Sequence, residues 1–186
     1  MIPNPSLKTW INSRKIQGNG KQALNVGCGL GDDAEFLAKL GFKVMAFDIS
    51  PKAIDWCRSR FQKSRVEYKV MDLFNSPVTW EDTFDLVLEV YTLQALPHYL
   101  MTKAFPVIGK FVSSGGTLLT ITRAREPHEN PGQVPWPLTR QEVDAFQNVG
   151  LNQKSFEDSC DNAIPPARTF RVEYKKEVKS PPISAV

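Results

Sequence analysis

Three glycines stand at alternate positions in the segment LNVGCGLGDD, which covers residues 24–33. Gly27, Gly29 and Gly31 follow an apolar run and precede a stretch with helical periodicity. Glycines between a strand and the N-terminus of a helix let a ligand come close to the backbone and to the free amide groups of the helix. The spacing therefore predicts a ligand-binding turn at the end of the first strand.

Carboxylates occur at or near the ends of the next three apolar segments. Asp48 ends FKVMAFD, Asp72 ends VEYKVMD, and Glu89 lies near the end of FDLVLEV. A carboxylate about 20 residues after the first glycine can accept hydrogen bonds from both hydroxyls of a ribose. Asp48 has this position. Asp72 and the next amide, at Leu73, could meet the edge of an adenine. Glu89 would lie beside a reacting centre, unless it is only a polar strand end.

Two classes of ligand use such a turn, and position 32 separates them. A dinucleotide site has the pattern G-x-G-x-x-G, whose third glycine would stand where this chain has Asp32. An acidic side chain there would also repel a pyrophosphate at the helix N-terminus. The pattern therefore favours a nucleoside-containing ligand without phosphates over a nicotinamide or flavin cofactor.

The composition is that of an ordinary soluble globular chain, with 186 residues, 41% of them hydrophobic, and a net charge of +3. Lysines and arginines are spread along the chain, which does not favour nucleic acid as a partner. There is no apolar run of the roughly 18 residues that suggest a membrane span. The N-terminus also lacks the apolar stretch of a signal peptide, so we expect a cytoplasmic protein. Three separate cysteines and two histidines give no metal-ligand spacing, and no metal site is predicted.

Strand-like and helix-like segments alternate five times, which predicts a parallel sheet with helices on both faces. The strands are expected at residues 22–26, 42–48, 66–72, 84–90 and 116–123. Helices are expected at residues 4–15, 32–40, from 51 onwards and at 97–112. Asp32 is the predicted N-cap of the second helix, and Ser50 with Pro51 should begin the third. Pro106 should kink or divide the fourth.

Two further strand-like segments, near 151–158 and 168–176, follow a helix for which Thr139 and Glu142 form a capping box. Only a proline-containing turn separates them, so they should pair antiparallel at one edge of the sheet. We therefore predict an open, doubly wound α/β sheet that binds its ligand at the carboxyl ends of the strands. We expect a single domain over residues 1–186, as a monomer or weak dimer. It would comprise an N-terminal helical segment (1–20), a substrate-side loop (124–138) and a frayed tail (179–186).

The ordered combination of these segments resembles the class I S-adenosylmethionine-dependent methyltransferases. The residues that carry the resemblance are LNVGCGLGDDAEFLAKLGFKVMAFDIS, MDLF and FDLVLEV. They are most similar to the thiopurine, thiol/halide and tellurite-resistance branch of small-molecule methyltransferases. The resemblance implies a seven-stranded sheet in the order 3-2-1-4-5-7-6, S-adenosylmethionine as cofactor and S-adenosylhomocysteine as product.

The resemblance also assigns roles to residues. The three glycines would hold the methionine part of the cofactor, and Asp48 would bind its ribose. Ile49 would pack on the adenine, and Asp72 with Leu73 would hold the adenine edge. Asn25 stands where the family usually has Asp or Glu, although its amide oxygen can still accept a hydrogen bond.

The predicted reaction is methyl transfer to a small molecule by in-line displacement, in which the protein holds donor and acceptor in attack geometry and excludes water. No base is needed when the acceptor ionises by itself, as thiols do, so a thiol or halide methyltransferase is a narrower alternative. Alternatives from other classes are a non-catalytic cofactor-binding domain and a nicotinamide-dependent oxidoreductase. Methylation of nucleic-acid amino groups usually brings an Asn/Asp-Pro-Pro-aromatic motif after strand four, where this chain has EVYT.

The segment 124–138 leaves the carboxyl end of the fifth strand, so we expect it to lie over the ligand crevice. It should form one wall of the acceptor pocket, with Trp136 as an apolar surface and Arg123 as an anchor for an anionic acceptor. Tyr91 and Glu89 would lie opposite. The alternative is a solvated loop whose Trp136 packs on the core.

Overall fold

Seven strands form one sheet in the order β3-β2-β1-β4-β5-β7-β6 in the computed structural model, which describes residues 2–160 and 166–178. Strands β1 to β5 are parallel, and β7 pairs antiparallel with both β5 and β6. The strands are β1 (Gln22–Val26), β2 (Lys43–Asp48), β3 (Glu67–Val70), β4 (Phe84–Val90), β5 (Val112–Arg123), β6 (Leu151–Cys160) and β7 (Arg168–Lys176). The predicted fold class and strand order are confirmed. The turn at 161–165 and the tail at 179–186 lie outside the described residues.

Helices cover both faces of the sheet and create two apolar layers. The helices are α1 (Pro5–Arg14), α2 (Asp32–Lys39), α3 (Pro51–Arg60), α4 (His98–Phe111) and α5 (Arg140–Val143), with short 3-10 turns at Leu73–Asn75, Val78–Trp80, Leu93–Ala95 and Asp144–Val149. One layer packs α1, α2 and α3 against the sheet through residues such as Leu7, Leu37 and Ile54. The other packs α4 and the Asp144–Val149 turn through residues such as Phe105 and Phe146.

Local signals set several helix ends as predicted. The Ser50 hydroxyl accepts a hydrogen bond from Ala53 N (3.3 Å), and Pro51 is the first residue of α3. The capping box of α5 is complete, because the Thr139 side chain accepts from Glu142 N and the Glu142 carboxylate accepts from Thr139 N. These caps satisfy amide groups at the starts of the two helices through residues close in the sequence.

One helix prediction is wrong, and one of the two outcomes expected at Pro106 does not occur. Asp32 is not the N-cap of α2; that position is Gly31, in the left-handed region at φ 82°. The Asp32 carboxylate instead accepts hydrogen bonds from Ile2 N and from Arg60, so tertiary partners take the place of the local cap. Helix α4 is not divided: it continues through Pro106, with the neighbouring Phe105 and Ile108 buried in the core.

Candidate functional site

The glycine turn lies between β1 and α2, and all three glycines have positive φ: 58° at Gly27, 52° at Gly29 and 82° at Gly31. A Cβ on Gly27 would lie 2.3 Å from the Thr92 hydroxyl, and one on Gly31 would lie 2.6 Å from the Tyr68 hydroxyl. A Cβ on Gly29 would meet nothing within 4 Å. The protein's own packing therefore requires glycine at two positions, whereas Gly29 faces open space.

Asp48 ties this turn to the start of α3. Its Oδ2 accepts a hydrogen bond from Gly29 N and its Oδ1 accepts one from Ser50 N, both at 2.9 Å. The two segments meet because β1 and β2 are parallel neighbours whose carboxyl ends lie at the same edge. The carboxylate thus orders the turn and also lies in the wall of a cavity.

Two cavities flank the turn and share the residues Gly27, Val90 and Tyr91 in their walls. The larger has a volume of about 500 Å³, and its remaining wall is mainly apolar with two aspartates: Phe47, Asp48, Ile49, Met71, Asp72, Leu73, Phe74, Thr92, Ala95, Leu96 and Leu100. The smaller has a volume of about 280 Å³ and a more polar wall: Ile2, Asn4, Asn25, Cys28, Gly29, Leu30, Gly31, Asp32 and Asp33. The predicted glycines, Asp48, Ile49, Asp72, Leu73 and Tyr91 therefore all line one or both cavities.

The larger cavity combines an apolar surface with a fixed carboxylate. Ile49 follows β2 with 70% of its surface exposed, although it is an isoleucine. Asp72 follows β3, where its Oδ1 accepts from Phe74 N (3.0 Å) and its Oδ2 from Asn75 Nδ2 (2.8 Å), so its orientation is set by the 3-10 turn that it caps. Such an arrangement can pack on one face of a planar ligand and hydrogen-bond to its edge.

The smaller cavity contains a buried polar atom that has no partner. Asn25 is 2% exposed, and its Oδ1 makes no hydrogen bond. Leaving such an acceptor unpaired costs on the order of 1–3 kcal/mol. A ligand N–H group that reached Asn25 Oδ1 would remove that cost.

The N-terminal residues close one side of the smaller cavity. Ile2 N donates to Asp32 Oδ1 at 2.8 Å, and Asn4 N donates to Asp33 Oδ1 at 2.6 Å. Burial raises the pKa of Asp33, and so does the neighbouring Asp32 charge, while the hydrogen bond from Asn4 acts in the opposite direction. Nothing in the sequence around Asp33 signals this contact, because its partner comes from a different segment.

Tyr91 stands where the two cavities meet, in a conformation that bulky residues rarely adopt. Its φ is 62°, and its amide donates to Ile121 O at 3.0 Å. Non-glycine residues in this region carry strain of order 1–3 kcal/mol and are concentrated at functional sites. The Arg123 guanidinium lies 5.5 Å from the centre of the Tyr91 ring. The structure therefore brings Tyr91 and Arg123 together.

Glu89 lies behind the site and lines neither cavity. Its side chain is fully buried, and its carboxylate accepts hydrogen bonds from Thr92 N, Leu93 N and the Thr120 hydroxyl. Burial raises the pKa of Glu89, although these three hydrogen bonds oppose the shift. The carboxylate thus contacts the turn that follows Tyr91 and is not part of either cavity wall.

Trp136 is also separate from the larger cavity. It lines a third cavity of about 130 Å³ together with His98, Met101 and Arg125. Its amide donates to Gln94 O (2.7 Å) and its indole Nε1 donates to Leu96 O (2.9 Å). Trp136 therefore contacts the segment that forms part of the larger cavity's wall, rather than the cavity itself.

Thr92 and Gln94 are among the residues of this region that sequence reasoning missed. Thr92 contributes to the wall of the larger cavity, and its hydroxyl donates to Val26 O at 2.9 Å. Gln94 is buried, and its Oε1 accepts from Arg123 N (2.8 Å) and from the Thr122 hydroxyl (2.9 Å). The only sequence signal for Thr92 is its position next to Tyr91 in EVYT, and Gln94 has no such signal.

Two further findings hold for residues 2–160 and 166–178. No group of three or more His, Cys, Asp or Glu side chains is arranged to hold a metal ion. No helix in this part of the chain is both long enough and apolar enough to cross a membrane.

A family model described as the methyltransferase domain matches residues 23–116, which is half of the chain. The chain therefore belongs to the methyltransferase domain family. This membership confirms the class of protein that the sequence motifs predicted.

The chain is similar to a ubiquinone biosynthesis O-methyltransferase of Xanthomonas campestris pv. campestris (strain B100). The two are 30% identical over 126 residues, an alignment that covers 67% of this chain and 52% of that protein. The chain thus spans about half the length of the curated relatives that it matches.

Two solved structures have the same fold. N-methyltransferase NodS from Bradyrhizobium japonicum WM9, in complex with S-adenosyl-L-homocysteine, has a TM-score of 0.74 at 17% identity, covering 93% of this chain and 88% of that one. TehB from Haemophilus influenzae has a TM-score of 0.75 at 13% identity, covering 91% and 62%. At such identities the likeness concerns the fold alone.

Proposed function

We propose that this protein is an S-adenosylmethionine-dependent methyltransferase acting on a small molecule. The observation that carries the proposal is the pair of cavities meeting at Gly27, Val90 and Tyr91. One cavity has a more polar wall that includes Asn25, whose buried amide oxygen is unpaired, and the other is mainly apolar with two oriented aspartates. A ligand with an amino-acid end and a nucleoside end matches this division.

The residues present fit that cofactor. Asn25 Oδ1 and the open space at Gly29 would receive the amino-acid end. Asp48 would bind the ribose, Ile49 would pack on the adenine, and Asp72 with Leu73 would hold the adenine edge. In support, NodS has the same fold and binds S-adenosyl-L-homocysteine in its crystal structure.

Bound S-adenosylmethionine supplies a methyl group on a positively charged sulfur. The chain's own contribution is to hold the two reactants in line and to keep water out, and such positioning accounts for a large share of the rate of bimolecular reactions. Tyr91 is suited to this role because it lies where the two cavities meet. Its backbone is also strained, as is common for residues at functional sites.

We propose that the acceptor approaches over Tyr91, with the Arg123 guanidinium behind the ring favouring an anionic or hydroxyl-bearing molecule. Trp136 would act indirectly, by supporting the wall at Leu96. The O-methyltransferase names of the relatives favour oxygen as the acceptor atom. A thiol or halide acceptor is the narrower alternative.

We further propose that residues 1–186 act as one domain, as a monomer or weak dimer in the cytoplasm, with neither nucleic acid nor a membrane as partner. In support, one sheet carries the proposed cofactor residues, and lysines and arginines are spread along the chain rather than clustered.

Titration calorimetry with S-adenosylhomocysteine and with NAD tests the cofactor. We expect binding of the former only, and a loss of more than about tenfold in affinity for Asp48→Ala, because charge-assisted hydrogen bonds to the ribose disappear. Asp85→Ala is the matched control, since Asp85 lies near the start of β4 and binds Gln22 N. Tight NAD binding, or an Asp48→Ala variant with unchanged affinity, contradicts the proposal. A screen of phenols, carboxylates, thiols, amines and halides for S-adenosylhomocysteine production then identifies the acceptor.

A further inference from the structure

The buried carboxylate of Glu89 makes three hydrogen bonds to neutral donors. Its Oε1 accepts from Thr92 N at 2.8 Å and from Leu93 N at 3.0 Å, and its Oε2 contacts the Thr120 hydroxyl. Thr120 is the register partner of Glu89 on β5. One side chain thus connects the end of β4, the turn that follows it and the neighbouring strand.

Two other hydrogen bonds join the turn at residues 91–93 to neighbouring strands. The Tyr91 amide donates to Ile121 O on β5 (3.0 Å), and the Thr92 hydroxyl donates to Val26 O at the end of β1 (2.9 Å). Neither of these engages the amides of Thr92 and Leu93. Both amide groups depend on Glu89 for their hydrogen bonds, and they directly follow the residue with the left-handed backbone.

This turn forms the junction of the proposed cofactor site, because Tyr91 and Val90 lie in the walls of both cavities. We propose that Glu89 is a positioning residue, whose carboxylate holds the 91–93 turn in the conformation that keeps Tyr91 where the two cavities meet. This inference rests on the proposed function, since the turn would separate the amino-acid and nucleoside ends of the cofactor's site.

Glutamine and alanine at position 89 separate the hydrogen-bonding role of the side chain from its charge. In Glu89→Gln the amide oxygen can accept from both backbone amides, and the Nε2 group can donate to the Thr120 hydroxyl oxygen. In Glu89→Ala both backbone amides lose their acceptor. A residue that acts by hydrogen-bond geometry is therefore rescued by glutamine and not by alanine.

The experiment measures two quantities in each variant: the affinity for S-adenosylhomocysteine by calorimetry, and the amide hydrogen exchange of Thr92 and Leu93 without ligand. For Glu89→Ala we expect affinity to fall by about tenfold, which corresponds to roughly 1.4 kcal/mol. We also expect faster exchange at the two amides. Glu89→Gln should stay near wild type in both measurements.

Tyr174→Phe is the control for general destabilisation. It removes another buried hydrogen bond, from the Tyr174 hydroxyl to Val143 O (2.9 Å), in a part of the core that lines neither cavity. It should lower the midpoint of thermal unfolding and leave the affinity and the exchange of the 91–93 turn unchanged.

Any one of three results overturns the inference. The first is that Glu89→Ala binds S-adenosylhomocysteine with wild-type affinity, and the second is that its Thr92 and Leu93 amides exchange at the wild-type rate. The third result is that Glu89→Ala and Tyr174→Phe change the affinity and the amide exchange equally. If the wild-type protein binds no S-adenosylhomocysteine, the proposed cofactor is wrong. The exchange measurement then still decides whether Glu89 holds the turn.

Discussion

The glycines of the turn are required for different physical reasons. Substitutions at Gly29 and Gly31 therefore distinguish an effect on ligand affinity from an effect on stability. Gly29→Ala adds a methyl group where a ligand would pass, so we expect about tenfold weaker S-adenosylhomocysteine binding. The left-handed backbone makes this variant less stable by about 1–2 kcal/mol. Gly31→Ala should add a steric cost of about 1–3 kcal/mol, because its Cβ would lie 2.6 Å from the Tyr68 hydroxyl and 2.8 Å from Cys57 Sγ.

Urea unfolding and calorimetry on both variants check this expectation. A Gly29→Ala variant that binds the ligand as tightly as the wild type would show that the open space at Gly29 is not occupied. A Gly31→Ala variant no less stable than Gly29→Ala would contradict the packing argument.

For single polar residues, the sequence does not predict the direction of the side chain or its hydrogen-bond partners. Glu89 belongs to a strand covered on both faces, so alternation of residue types does not tell which way its side chain points. Asp32 has a residue type suited to capping its own helix, yet Ile2 and Arg60 bind its carboxylate. In both cases the residue type indicated a role for the carboxylate, but residues from other segments of the chain determine which groups it binds.

Among the elements, the segment 124–138 is held to the 93–96 turn by Trp136. Trp136→Phe keeps an aromatic ring and removes the hydrogen bond to Leu96 O, so stability should fall by about 1 kcal/mol. Because the segment 124–138 is the expected acceptor side of the site, the KM of an acceptor found in the screen should rise, while cofactor affinity stays within about twofold. Kinetics and calorimetry of Trp136→Phe check this, with the 54% exposed Trp56, as Trp56→Phe, for comparison. An unchanged KM would place the acceptor elsewhere.

Parallel pairing and two of the helix starts were predictable from local signals and general chain topology, whereas the full strand order was predicted from the family resemblance. The alternation of strands and helices fixes a parallel sheet, and the Thr139–Glu142 capping box sets the start of α5. The path of α4 through Pro106 was not predictable, since tertiary packing outweighs the missing backbone donor. The position of Trp136 likewise depends on a contact with Leu96, 40 residues away in the sequence.

At the scale of the whole molecule, the proposed site gathers residues from separate strand ends into one ligand-binding region. Asn25, Asp48, Asp72 and Tyr91 lie in or just after β1, β2, β3 and β4. Each contact between the ligand and one of these residues contributes a modest free energy. A ligand that binds only the folded chain nevertheless stabilises the whole fold against unfolding. Binding must therefore raise the unfolding temperature of the entire domain.

Ligand-linked thermal unfolding tests this coupling. At a ligand concentration 1,000 times its Kd, S-adenosylhomocysteine should stabilise the fold by about 4 kcal/mol. For a chain of this length, that corresponds to a rise in Tm of roughly 8–16 °C. NAD at the same concentration should leave Tm unchanged, and Asp48→Ala should require more than about ten times as much S-adenosylhomocysteine for the same rise in Tm above its own ligand-free value. Scanning calorimetry over a series of ligand concentrations measures these shifts. Equal shifts with both ligands would indicate nonspecific stabilisation and would contradict a site built from the four strand ends.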